Sequence, residues 1–94
     1  LCMIMISKKQ MTEQQIQAKR IKELEADGYY VIKLIKTNKN GIPDLVAIPP
    51  NCKVLFSEIK KPNGIVSAIQ KYRIKELNAH GVITEIYKGW NILK

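Results

Sequence analysis

Hydrophobic positions in this chain fall into short segments of two periodicities, divided by turn-forming residues. From Glu13 to about Ala26 the sequence EQQIQAKRIKELEA is rich in strong helix formers. At about 100° per residue, Glu13, Ile16, Gln17, Arg20 and Leu24 fall on one stripe, so the segment predicts a helix whose Ile16 and Leu24 face a core. Thr12, with Gln15 three residues on, forms a capping box at its start, and Asp27-Gly28 stops it. Tyr29–Lys36 (YYVIKLIK) is β-branched and aromatic and predicts a strand, followed by a polar loop from Thr37 to Gly41. Asp44–Ile48 (DLVAI) predicts a second strand, ended by Pro49-Pro50-Asn51. Lys53–Lys60 (KVLFSEIK) predicts a third, closed by Pro62-Asn63-Gly64. These two lie close enough in sequence to pair as an antiparallel hairpin. Ser67 with Gln70 is a second capping box, opening a helix to about His80 with Gly81 at its end. Val82–Tyr87 (VITEIY) predicts a fourth strand, Gly89-Trp90 a turn, and residues 91–94 a short tail.

The order helix, three strands, helix, strand predicts an α/β domain with a mixed four-stranded sheet flanked by helices. A length of 94 residues is enough for one domain, which buries roughly 60–65% of its unfolded surface. Dimerisation would add buried apolar area to so modest a core. The opening Leu1–Ile6 is apolar but too short for a transmembrane helix of ~20 residues or for a signal-peptide core. It is expected to be an upstream extension or a short strand, with residues 1–11 peripheral. Trp90 and the Tyr29-Tyr30 pair are expected in the core. His80, the single histidine, is expected to interact with the end of its helix and to have no catalytic role.

Charge narrows the choice of partner. Sixteen Lys and Arg against eight Asp and Glu leave a net charge of +8, which favours a polyanion, either nucleic acid or an anionic membrane surface. Lys8, Lys9, Lys19, Lys22, Lys71, Arg73 and Lys75 suit either solvated helix faces or phosphate contacts. Cys2 and Cys52 show no metal-ligand spacing and read as free thiols, in keeping with a cytoplasmic protein.

The unusual residues are the acids inside the apolar strands. Glu58 and Lys60 point to one face of their strand, together with Val54 and Phe56. Burying a carboxylate and an ammonium beside apolar groups is unfavourable unless they pair or bind an ion. A half-exposed ion pair would satisfy them equally well. The hairpin, however, also brings Asp44 beside Glu58. Two close carboxylates repel, and a divalent cation relieves them. Hard oxygen donors suit Mg²⁺ or Mn²⁺, which stabilises charge on a phosphate and helps deprotonate an attacking water. Lys60 would then orient that water or neutralise phosphate oxygens. Glu13 lies in line with the buried helix face, where it could reach the sheet or simply complement the helix dipole. Gln70 is explained by its capping box alone.

Gly41-Ile42-Pro43-Asp44, thirteen intervening residues, and Glu58-Ile59-Lys60 resemble the PD-(D/E)XK nuclease signature. The longer frame is similar to the VRR-NUC branch of that superfamily: a helix carrying Glu13, GIPDLVAI, a strand ending SEIKKPNG, then VSAIQ and a helix ending before Gly81. The resemblance covers about residues 12 to 87. It implies a restriction-endonuclease-like core in which Asp44, Glu58 and the Ile59 carbonyl hold Mg²⁺ or Mn²⁺, with Glu13 a further ligand directly or through water. It implies that Lys60 is the catalytic lysine and that Gln70 belongs to the active site. Small members of the family act as homodimers on branched DNA such as four-way (Holliday) junctions. The corresponding expectation is a metal-dependent DNA endonuclease that is structure-selective and dimeric, in a bacterial or phage-infected cytosol. Two alternatives stay open on the residues alone: a non-catalytic nucleic-acid-binding module with structural ion pairs, and cleavage of RNA by the same machinery.

Overall fold

A computed structural model describes residues 11–51 and 53–93. Leu1–Ile6, Lys8, Lys9 and Cys52 lie outside them, so the expectations for the apolar opening and for both cysteines concern residues not described.

Both capping boxes open helices. Helix α1 spans Glu13–Ala26; Thr12 Oγ1 accepts from the Gln15 amide at 3.0 Å and Gln15 Oε1 accepts from the Thr12 amide at 2.9 Å. Helix α2 spans Ala68–Ala79, with the same reciprocal bonds between Ser67 and Gln70 at 3.2 and 2.9 Å. Each box satisfies donors that the first helical turn would otherwise leave unpaired. His80 caps α2, its Nδ1 lying 2.8 Å from the Glu76 carbonyl, as expected.

Four strands match the expected segments at shorter lengths: β1 Tyr30–Lys33, β2 Leu45–Ile48, β3 Leu55–Ile59 and β4 Ile83–Tyr87. A fifth, β5 Asn91–Leu93, occupies the stretch expected as a tail and extends the four-stranded sheet at its β4 edge. The sheet order is β1-β2-β3-β4-β5. All neighbouring pairs are antiparallel except β3 and β4, which run parallel and are joined through α2. A parallel pair needs such a crossover. The expected β2–β3 hairpin is present, with Leu45 opposite Ser57 and Ala47 opposite Leu55. β1 stops at Lys33, although the Leu34 amide still donates to the Asp44 carbonyl at 2.8 Å before the chain turns away.

Side-chain alternation gives the sheet two different faces. Helix α1 covers one, burying Ile16, Arg20 and Leu24 against the face that carries Leu45, Ala47, Ser57, Ile59, Glu85 and Tyr87. Ile16, Leu45, Ile59 and Tyr87 form the core cluster, flanked by Met11, Ile21 and Val31. Met11, the last residue of the expected peripheral extension, is thus half-buried. Helix α2 packs against β4 on the other face, where Glu58, Thr84 and Ile86 reside and where its own Ile74 is buried.

A charged link fastens α1 to the sheet. Arg20 grips Glu85 with two bonds, Nε to Oε2 at 2.7 Å and Nη2 to Oε1 at 2.8 Å, while Ser57 Oγ donates to Glu85 Oε2. The Arg20 guanidinium lies 4.8 Å from the Tyr87 ring centroid. Tyr87 donates to Glu23 Oε1 at 2.8 Å, and Lys19 bonds both Glu23 and Tyr87. Lys19 and Arg20 are therefore structural. Glu85 is as deeply buried as Glu58, and an acid in the apolar run VITEIY was the available signal for it.

The aromatic expectation is corrected. Tyr30 is 71% exposed and Trp90 46% exposed, and Tyr29 is only half-buried. β1 is an edge strand, and Tyr30 and Ile32 project beyond the part of the sheet that α2 covers. Among the described residues no helix is long and apolar enough to cross a membrane.

Candidate active site

The loop that delivers Asp44 is pinned at two points by α2. Arg73 Nε of α2 donates to the Asn40 carbonyl at 2.8 Å. Gly41 adopts φ +80°, and a Cβ there would lie 2.9 Å from Ile69 Cγ1 and 3.0 Å from the Ile69 backbone. Only glycine satisfies both the left-handed conformation and this close approach. Pro43 is fully buried. The sequence GIPD is thus a rigid entry to β2. The same loop gives Arg73, grouped above with helix-face cations, a structural task, which it shares with its ion pair to Glu76 at 2.8 Å.

Asp44 continues the β2–β3 ladder one step beyond the Leu45–Ser57 pair, which sets it across from Glu58. Its Oδ2 accepts from the Ile59 amide at 2.8 Å, fixing one oxygen. Glu58 is only 2% exposed. Its Oε2 accepts from Gln70 Nε2 at 3.0 Å and lies 3.9 Å from Lys60 Nζ. Its Oε1 is buried with no hydrogen-bond partner. Burial foremost, then the charge of Asp44, pushes the Glu58 carboxyl up to about 8, against the opposing pull of Lys60. Lys60 follows β3 directly, and its amide donates to the Tyr87 carbonyl at 3.0 Å. The β3–β4 pairing therefore sets the position from which its ammonium reaches Glu58.

Gln70 does two things at once. Its Oε1 completes the α2 capping box, and its Nε2 holds Glu58. The cap explains only one end of that side chain. Four of the residues singled out from sequence, Asp44, Glu58, Lys60 and Gln70, therefore meet at the end of the β2–β3 hairpin, with the Ile59 backbone between the two acids. Glu13 does not join them closely. It is exposed in the first turn of α1, and it adds only a weak further push to the Glu58 carboxyl. Among the described residues no three His, Cys, Asp or Glu side chains form a metal-holding group.

Chemically, the site gathers carboxylate oxygens beside a single ammonium. An ionised carboxylate is acceptor-only, and a buried acceptor without a donor is unfavourable by ~1–3 kcal/mol or more. Two carboxylates and a neighbouring carbonyl offer hard oxygens, with an ammonium and an amide on the flank.

A mixed sheet with a helix on each face, an Asp at the start of one strand and Glu-Ile-Lys at the end of the next define a nuclease domain of the restriction-endonuclease-like type. The family model of the VRR-NUC domain matches residues 2–90, nearly the whole chain, and the chain belongs to that family. Such a nuclease domain implies a DNA substrate. Comparison with curated proteins and with solved structures returned no significant match.

Proposed function

We propose that this protein is a Mg²⁺- or Mn²⁺-dependent endonuclease that hydrolyses phosphodiester bonds of branched DNA as a homodimer in the cytoplasm. The observation that carries this reading is the buried Glu58 Oε1 without a hydrogen-bond partner, on a strand pair whose register sets Asp44 across from Glu58. Burial and the neighbouring Asp44 disfavour the charge on Glu58 and push its carboxyl up to about 8, and a cation would favour the ionised form. Hard oxygen donors with open coordination positions fit Mg²⁺ or Mn²⁺. Asp44, Glu58 and the Ile59 carbonyl would hold the ion, and Glu13 would act through water. When bound, such an ion supplies charge stabilisation at the phosphate and lowers the pKa of a bound water.

The chain's own groups divide the remaining work. Gln70 Nε2 fixes one Glu58 oxygen, which leaves Oε1 free to ligate. The Ile59 amide does the same for Asp44, so neither carboxylate must reorganise during reaction. Lys60 brings a positive charge to the non-bridging oxygens of the scissile phosphate, where charge builds as water attacks and the bond to the leaving oxygen breaks. The net charge of +8 draws in the polyanion. Exposed Tyr30 and Ile32 on the edge strand β1 support a contact with a second copy. A two-fold dimer would present two sites to the two strands of a symmetric junction.

The test is incubation of purified protein with a four-way junction, a flap and a linear duplex in Mg²⁺, Mn²⁺ or EDTA. Expected is metal-dependent cleavage, strongest on the junction, that falls on the order of 100-fold or more in Lys60→Ala. Intact DNA under every metal condition would overturn the assignment.

A further inference from the structure

The loop between β1 and β2 borders an open cavity of about 300 Å³ that adjoins the proposed metal cluster at Asp44. Lys36, Thr37, Lys39, Asn40 and Asp44 are among its lining residues. Lys36 and Lys39 are exposed, and among the described residues neither takes part in an ion pair. Other exposed lysines, among them Lys22, Lys71 and Lys75, also lack an ion-pair partner among the described residues, but only Lys36 and Lys39 line the cavity that Asp44 borders.

The loop is also held in shape. Thr37 Oγ1 donates to the Lys39 carbonyl at 2.6 Å, closing a local turn. Arg73 clamps the Asn40 carbonyl, and Gly41 rests on the backbone of Ile69. Two ammonium groups without an ion pair among the described residues are therefore carried on a braced loop, and Asp44, which lines the same cavity, is a proposed metal ligand. An anion in this cavity would lie within the same short stretch of polymer as a phosphate at Asp44. Acidic peptides also carry negative charge, but regular spacing of phosphates along a strand explains why the basic cavity and the acidic pair should adjoin.

We infer that Lys36 and Lys39 form a subsite for a non-scissile backbone phosphate, adjacent to the one cut, so that the β1–β2 loop sets the register of the substrate strand. The inference rests on the nuclease reading. Both lysines are positioning residues: they bind a neighbouring phosphate and touch none of the reacting atoms. Phosphate contacts of this kind fix register and orientation without reading sequence.

The experiment uses the full chain and the Lys36→Ala/Lys39→Ala variant, with Lys36→Arg/Lys39→Arg as the conservative control. Binding of a four-way junction and of single-stranded DNA is measured in EDTA over a range of salt. Expected is a log–log salt slope shallower by about 1 to 2 in the alanine variant and restored by arginine, at an unchanged melting temperature. With metal present, KM should rise on the order of tenfold while kcat at saturating DNA stays near wild type. A series of single methylphosphonate linkages placed near the cleavage site should contain one that slows the wild-type protein and has little added effect in the alanine variant. An unchanged salt slope, or a loss spread equally over all linkages, overturns the subsite; so does a fall in melting temperature that arginine does not reverse. The salt slope needs no cleavage. A protein that binds with the expected slope but never cuts would therefore overturn the nuclease reading, and with it the register role, while retaining the phosphate contact at Lys36 and Lys39.

Discussion

At the scale of single residues, position matters more than residue type. Glu58 and Glu85 are both carboxylates on apolar strands, and both are almost fully buried. Glu85 meets a guanidinium with two bonds and a hydroxyl; Glu58 meets one amide, with an ammonium further off. One is a fastener and the other is incompletely satisfied. The raised Glu58 carboxyl gives a pH dependence of known sign. Its folded value of about 8 exceeds the ordinary 4.5, so the stabilisation belongs to the protonated form. It is fully present below pH 4.5 and is lost as pH rises towards 8. Melting the metal-free protein across that window should show a loss of a few kcal/mol. Glu58→Gln should flatten the profile. Gly41 supports a second expectation. Gly41→Ala meets both a positive φ and the Ile69 backbone, so it should destabilise by about 1–3 kcal/mol and displace Asp44 enough to reduce cleavage. Urea melts and cleavage rates on the same preparation would check both effects.

Elements were legible where short-range chemistry decides them. Thr12 with Gln15 and Ser67 with Gln70 announce helix starts through bonds made within three residues, and both helices begin there. The β2–β3 hairpin followed from proximity and brought Asp44 to Glu58 as expected. What escaped depended on long-range pairing. β5 has only three residues, too few for a period to show, and it exists because β4 offers an edge. The exposure of Tyr30 follows from β1 being an edge strand, which its own sequence does not state. The Arg20–Glu85–Ser57 link needs the parallel register of β3 and β4, in which Ser57 stands beside Glu85. The stripe on α1 revealed Arg20 among core residues but not its partner. Breaking one side of this link should be severe. Arg20→Ala leaves Glu85 buried without its cation and should cost about 3–5 kcal/mol. The triple variant Arg20→Met/Ser57→Ala/Glu85→Leu should recover most of that loss, because it leaves no orphaned charge. Chemical denaturation of the two variants separates the outcomes.

For the whole molecule, the two faces of the sheet divide labour. Beneath α1 lie the core cluster and the charged fastener; the opposite face, with α2, carries Glu58 and its amide partner. This arrangement lets α2 act on the site in three ways: Gln70 holds Glu58, Arg73 holds the Asp44 loop, and Ile69 supports Gly41. The VRR-NUC motif residues visible in the sequence thus converge, whereas the supporting contacts from α2 are tertiary and were not readable from spacing. A small chain with exposed Tyr30 and Ile32 on its edge strand is expected to associate. Sedimentation should give a dimer, and Tyr30→Lys/Ile32→Lys should shift it towards monomer, with paired incisions on a junction lost before single-strand nicking. A monomer at all concentrations would remove the dimeric reading while leaving the catalytic site intact.

The most direct measurement is anomalous diffraction from crystals soaked in Mn²⁺. A peak shared by Asp44 and Glu58, with Glu58 Oε1 turned to it, is the expected result. Well-ordered carboxylates with no manganese between them, in crystals of protein that still cuts DNA, would contradict the assignment of these two acids as the metal-holding pair.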